Sequence, residues 1–385
     1  REPDARPLRE LLGGLAERMP VRVLLWAGSP APVFQPTRAM ARGACAGFTS
    51  GTKVACALDA RERTLHCHHE KIVIIDGERA FVGGIDLTAL AGDRYDGPGH
   101  PPTTPMGWHD AAIELTGPVV ADVAQHFAHR WSEVTGEVLP DPAPPKATGN
   151  VDVQIARTVP ERNYKFARRG VFTTLDGYLR ALRQAQEYIY LENQFLWSAE
   201  VTAVLADKLK HPPSDTFRIL LVLPAHPDTG ADTTRGQLGI LLQADGGAGR
   251  LLATTLTAID GTATGTLYVH AKIGIVDDRW LTIGSANLND HSLFNDTELN
   301  VITCDPQLAR DTRLRLWAEH LRLDASEVDG EPHIMIDKRW RPTATDELAR
   351  RRGGAPPRDR VSLLPAVSRR AARLGGPLRG LLVDG

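Results

Sequence analysis

His69, Lys71 and Asp76 recur 201 residues later as His270, Lys272 and Asp277, and each set runs on to a small pair, Gly83-Gly84 or Gly284-Ser285. In both copies lysine follows histidine by two positions, aspartate by seven and the small pair by fourteen, among otherwise different neighbours. Three shared offsets around dissimilar side chains point to one reactive centre assembled from two related halves. One histidine can attack phosphorus while the other protonates the departing alkoxide and then activates water or an alcohol. Two lysines and the Asn287 amide suit a tetrahedral oxyanion such as a phosphodiester. Asp86 occupies the place in the first copy that Asn287 holds in the second, so the halves are expected to contribute unequally to phosphate binding.

The elements that must position these groups are hairpins. Ile72–Ile75 is β-branched throughout, Asp76-Gly77 is a strong turn signal, and Ala80–Val82 reads as the returning strand. The second copy repeats this with Ile273–Val276, Asp277-Asp278 and Leu281–Ile283. Side chains two apart on a strand share a face, so His69 projects with Lys71 and His270 with Lys272, while Glu70 and Ala271 face elsewhere. Asp76 and Asp277 fall at the turns, an odd separation from the histidines. They remain in the candidate catalytic set, but their position suits holding turn amides better than chemistry. Gly84 and Ser285 permit close backbone approach where the returning strand ends.

Around the two motifs the chain reads as alternating helices and buried strands. Residues 8–18 form a helical pattern leading into the strand Val21–Trp26. The Gly177–Gln186 region leads in the same way into Tyr188–Leu191, and Phe217–Pro224 echoes the earlier strand. The expected fold class is α/β, with two similar lobes of mixed sheets flanked by helices. The Pro- and Gly-rich stretch 141–150 is the linker candidate, dividing a first lobe at 1–140 from a second at 151–325. Residues 326–385 form a basic extension: from 338 onward twelve Lys or Arg face four Asp or Glu. Such a segment reads as a solvated arm or as a contact to an anionic membrane surface.

Composition narrows the classes further. The chain has 385 residues, 42% hydrophobic and 24% charged, with a formal net charge of -2. That is ample for two cores and argues against a protein that coats nucleic acid through a global basic field. Cys45, Cys56, Cys67 and Cys304 form no CxxC pair and are expected to be buried free thiols, with no metal site among them. No apolar run reaches eighteen residues, so no transmembrane helix is expected. The chain begins at Arg1 rather than methionine and enters a helical stretch at once, which leaves a leader or anchor upstream open.

The motif pair matches the HxKxxxxD signature of the phospholipase D superfamily, and the resemblance extends well past it. Tyr268–Leu299 resembles the second catalytic region of the plant and eukaryotic type. So do Phe81–Leu87 with Asp93–Asp96, Gly107–Asp110, His126–Trp131 and Tyr190–Phe195. The resemblance implies two α/β lobes related by a pseudo-twofold axis, with both histidines at the cleft between them. It further implies that His69 is the nucleophile, that His270 is the acid and base, and that Lys71, Lys272 and Asn287 bind phosphate. Asp110 and Glu298 become the carboxylates that orient the histidines. Glu192-Asn193-Gln194 either lines the cleft or forms a turn, and Trp108, Tyr95 and Trp197 are candidates to shape the substrate entry.

The expected activity is hydrolysis of the distal phosphodiester of a glycerophospholipid at a membrane surface, with water or an alcohol as acceptor and no cofactor. A cardiolipin-synthase-like phosphatidyltransferase and a nuclease are the enzymatic alternatives, although no stripe of basic and aromatic residues surrounds either motif. A catalytically dead, membrane-binding scaffold is a third, disfavoured because both motifs are intact. No acidic loop resembles a calcium site, so calcium-dependent docking is not expected. A cytoplasmic or peripheral membrane location is favoured.

Overall fold

A computed structural model describes residues 6–30, 35–62, 66–86, 99–102, 106–225 and 231–364. The first half contains α1 (Leu8–Ala16), β1 (Arg22–Trp26), α2 (Arg38–Thr49), β2 (Ala55–Asp59), β3 (Lys71–Ile75) and β4 (Arg79–Gly83). It closes with β5 (Gly107–His109), β6 (Ala112–Thr116) and α3 (Val119–Thr135). Strands β1 and β2 pair in parallel across α2, and β3, β4 and β6 form an antiparallel sheet. Residues 137–152 then run without helix or strand to the second half.

The second half begins with β7 (Val153–Val159), β8 (Val171–Phe172), α4 (Thr173–Gln184), β9 (Tyr188–Glu192), α5 (Ala199–Lys210), β10 (Arg218–Val222) and α6 (Ala231–Asp245). It continues with β11 (Leu251–Asp260), β12 (Ala263–Val269), β13 (Ile273–Val276), β14 (Trp280–Gly284), β15 (Glu298–Thr303) and α7 (Pro306–Leu321). Its strands form one large mixed sheet in the order β5, β12, β11, β10, β9, β13, β14, β15, β7, β8. The architecture is mixed α/β, as the alternation of patterns predicts. Strands are divided unevenly, however, and β5 of the first half pairs with β12 of the second.

Parallel central strands explain the continuous apolar runs. Strands β9, β10 and β11 are joined by α5 and α6 as crossovers and lie in parallel, so both faces of the sheet are covered. Alternate residues then enter different cores. Ile189, Leu191, Ile219 and Leu221 pack with Leu182 and Leu205 on one face. Tyr188, Tyr190, Leu220 and Val222 pack with Trp317 and Trp340 on the other. A smaller core joins the halves, where Val82, Leu115 and Val123 meet Leu299 and Val301 of β15.

The basic stretch is not a solvated arm over the residues described. After α7 come α8 (Pro332–Met335), α9 (Arg341–Arg352) and β16 (Val361–Leu363), which adds antiparallel to β11. Val328, Ile336, Trp340, Ala344 and Val361 are buried in the second core. The arginines between them are used internally: Arg341 donates to the Gly249 carbonyl, Arg351 to Glu347 and Thr257, and Arg360 to the Glu319 carbonyl. A sparse set of large apolar residues anchors the segment, a signal that arginine content masks. Arg369-Arg370 lie outside the described residues.

All four cysteines are free, but the expectation of burial holds fully only for Cys67; Cys45 and Cys56 are half-buried and Cys304 is exposed. Among the described residues no helix is long and apolar enough to cross a membrane.

Candidate active site

Both motifs fold as hairpins. In β3–β4 Lys71 pairs with Gly83 and Ile75 with Arg79; in β13–β14 Ile273 pairs with Ile283 and Val276 with Trp280. The turns require positive φ at Asp76 (53°) and Asp277 (54°), a conformation that Asp tolerates better than most residues. One expectation needs correction: the histidines do not sit within regular strands but on the approach to them. The amides of His69 and Glu70 both donate to the Thr297 carbonyl, at 3.0 and 3.1 Å. Those of His270 and Ala271 both donate to the His109 carbonyl, at 2.8 and 3.0 Å. Two successive amides on one carbonyl bend the chain, and each histidine is bent by a carbonyl from the opposite half.

The residue after each of those carbonyls supplies a carboxylate. His69 Nδ1 donates to Glu298 Oε1 at 2.9 Å, and the Ser285 hydroxyl donates to the other Glu298 oxygen. His270 Nδ1 lies 2.6 Å from Asp110 Oδ2, while the Ala111 amide donates to Asp110 Oδ1 at 2.8 Å. Holding Nδ1 on a carboxylate fixes each ring and leaves Nε2 as the reactive nitrogen. The same geometry explains the small residues. A Cβ on Gly84 would collide with the Asp110 carboxylate, whereas Ser285 turns its hydroxyl onto Glu298.

The four basic groups converge on one carboxylate. Asp86 lies 3.4 Å from Lys71 Nζ and 3.9 Å from His270 Nε2. Burial opposes its ionisation, but Lys71, His270, His69 and Lys272 together outweigh this and hold its carboxyl down at about 2. Lys272 is buried and donates to the His270 carbonyl and, at 3.2 Å, to Gln194 Oε1. Asn287 Nδ2 donates to the same oxygen at 3.3 Å, so Asp86 and Asn287 do face different partners. Burial pushes the Asp110 carboxyl up to about 7, and burial together with Lys272 pushes the His270 imidazole well down. The opposed directions describe one proton held by a coupled pair.

Of the remaining candidates, Asp277 accepts the amides of Gln186, Glu187 and Tyr188 at 2.7 to 2.8 Å. It holds a turn at the far end of β13, roughly 20 Å of extended chain from His270. Asp76 takes the equivalent turn in β3–β4. Gln194 lines the site, Asn193 accepts the amides of Phe195 and Leu288 as a turn former, and Glu192 is buried behind the site. Trp108 stacks on His270 with ring centroids 4.3 Å apart. Trp197 is instead a core residue bonded to Thr234, which removes it from the substrate entry. Tyr95 and the rest of Asp93–Asp96 lie outside the described residues, as does Leu87.

Two supporting networks escaped sequence reasoning. Glu192 binds His109 Nε2 at 2.6 Å and His320 Nε2 at 2.8 Å, and Glu319 binds His100 at 2.8 Å and His109 at 3.2 Å. Burial opposes protonation of His109, but the two glutamates outweigh it and hold this imidazole well above its ordinary range. Around the first motif Glu70 pairs with His126 and Arg130, and Asp59 with Arg130, His68 and Tyr164 of the second half. His68 and Glu70 flank His69 in the chain, and His109 carries the carbonyl that accepts the His270 amide. Several of these residues lie in the segments that carry the family resemblance, Gly107–Asp110, His126–Trp131 and Tyr190–Phe195, but nothing in the sequence pairs them with one another.

A family described as "Cardiolipin synthase, PLD-like domain" matches residues 178–318. Phospholipase D A from Dictyostelium discoideum is 26% identical over 70% of this chain and 28% of its own length. Phospholipase D1 from Schizosaccharomyces pombe is 24% identical over the same shares, 70% and 28%. Cardiolipin synthase A from Pseudomonas fluorescens (strain SBW25) is 28% identical over 69% of this chain and 49% of its own length. The chain thus spans less than a third of the first two relatives and about half of the third.

Proposed function

The chain belongs to the phospholipase D superfamily, and from that premise we propose that it cleaves the distal phosphodiester of a glycerophospholipid through a covalent intermediate on His69. The observation that carries this reading is the reciprocal clamp, each imidazole fixed through Nδ1 by a carboxylate from the other half, with both lysines beside the rings. His69 Nε2 attacks phosphorus, forming a P–N bond. The P–O bond to the head group breaks as His270 Nε2 gives its proton to the departing alkoxide. A water then loses a proton to His270 and attacks phosphorus, and the P–N electron pair returns to His69. Lys71, Lys272 and Asn287 bind the phosphoryl oxygens, and displacement of Asp86 from Lys71 by substrate phosphate follows from their shared cation.

His69→Asn and His270→Asn are expected each to reduce turnover of mixed phospholipid vesicles on the order of 10³-fold or more while leaving the thermal midpoint nearly unchanged. Retained turnover in both would sink the mechanism. A phosphatidyltransferase is the second reading, favoured by the similarity of residues 178–318 to a cardiolipin synthase family. An alcohol can replace water in the second step, so mass spectrometry of products with and without glycerol separates the two. Degradation of plasmid DNA with no phospholipid cleaved would replace both by a nuclease.

A further inference from the structure

A histidine–carboxylate cluster lies beside the catalytic groups without belonging to them. His66 Nδ1 is 2.8 Å from His291 Nδ1 and 3.5 Å from Asp296 Oδ1, and one ligand atom from each of the three residues lies within 4.8 Å of the other two. His291 and Asp296 are buried and His66 is mostly so. We propose that His66, His291 and Asp296 bind a divalent transition-metal ion of the zinc class, which clips the segment leading to His69 onto the segment carrying Glu298.

Several observations converge on this. Two imidazole nitrogens 2.8 Å apart, with a carboxylate oxygen 3.5 Å from one of them, bring three donors of the kinds that ligate transition metals to one point. Ligand atoms bound to tetrahedral zinc lie about 3.3 Å from one another, and the observed 2.8 and 3.5 Å bracket that value. Asp296 Oδ1 also accepts the Cys67 amide at 2.8 Å, which fixes the carboxylate in place. Its Oδ2 is buried and has no hydrogen-bond partner among the described residues, a desolvated acceptor that a cation would satisfy. Two imidazoles and one carboxylate suit zinc, cobalt or nickel rather than magnesium or calcium. The Glu192 cluster differs, because each Glu192 oxygen already accepts from a histidine.

The position gives the ion a structural task. Residues 66–69 belong to the first half and 296–298 to the second, and among the described residues their backbone hydrogen bonds all run through Thr297, which bonds Cys67 and His69. An ion between His66, His291 and Asp296 adds a bond across that seam, adjacent to the His69–Glu298 pair.

The test uses the full chain stripped with a chelator and titrated with Co(II), read by visible absorption, and with Zn(II), read by calorimetry. One equivalent of tightly bound ion and a raised thermal midpoint are expected. His66→Ala, at the edge of the cluster, and Asp296→Asn, which keeps an acceptor for the Cys67 amide, are both expected to lose the cobalt spectrum. His69→Asn and His109→Asn are expected to retain it. No stoichiometric binding by the unmodified chain, or a full signal in either of the first two variants, would overturn the proposal.

Discussion

His270 and Asp110 share a buried 2.6 Å contact beside Lys272, so they gain and lose one proton as a unit. The first chemical step requires that proton, because His270 delivers it to the leaving alkoxide. Head-group release measured as kcat/KM is therefore expected to fall as pH rises through about 7. A profile that climbs through the same range would contradict the assignment of His270 as the acid. Asp110→Asn is expected to lower the rate by roughly 10²- to 10⁴-fold, since it favours the wrong imidazole tautomer. A variant at full rate would show that the carboxylate does not orient the ring. The histidines and lysines were legible from spacing alone. Their carboxylate partners, Asp110 and Glu298, stand 160 and 229 residues from the rings they hold, so no spacing gave them and only the family resemblance pointed to them.

Each hairpin does two jobs at its two ends. At the turn of β13–β14, Asp277 gathers the amides of Gln186, Glu187 and Tyr188 at the start of β9, tying the hairpin to the central parallel strands. Asp277→Ala is expected to cost roughly 1.5–3 kcal/mol in denaturant unfolding, with turnover per folded molecule retained. Lost turnover at unchanged stability would place this aspartate in the chemistry instead. At the other end, the doubled amide contacts to Thr297 and His109 bend the chain before regular pairing begins. The β-branched runs and turn residues made the hairpins themselves readable. The bend could not be read, because the carbonyl that causes it comes from the opposite half.

At the scale of the whole molecule, the halves are interdependent and the C-terminal segment is part of the fold. Trp340 is fully buried against Tyr190 and Trp317, so Trp340→Ala is expected to destabilise by about 3–5 kcal/mol. A negligible effect would mean that the segment docks only loosely. The buried carboxylates set the acid limit of the fold. His109 and His320 hold Glu192 far below its ordinary range against the effect of burial, and His100 and His109 do the same for Glu319. Depressed carboxyls contribute stability above the unfolded value of about 4.3 and lose it as pH falls through and below that value. The thermal midpoint should accordingly drop steeply below about pH 4.5, and a level midpoint down to pH 3 would contradict the role of these pairs. Alternating helix and strand patterns revealed the α/β class. The basic C-terminal segment was misleading because its anchors are few and its arginines bond inward. The central claim, one site built from two halves with His69 attacking, is tested most directly by covalent capture. Brief exposure to phospholipid labelled at its phosphate, followed by denaturation at neutral to alkaline pH and peptide mapping, should place an acid-labile label on His69. Label on His270 alone, or none on either histidine while turnover proceeds, would contradict it.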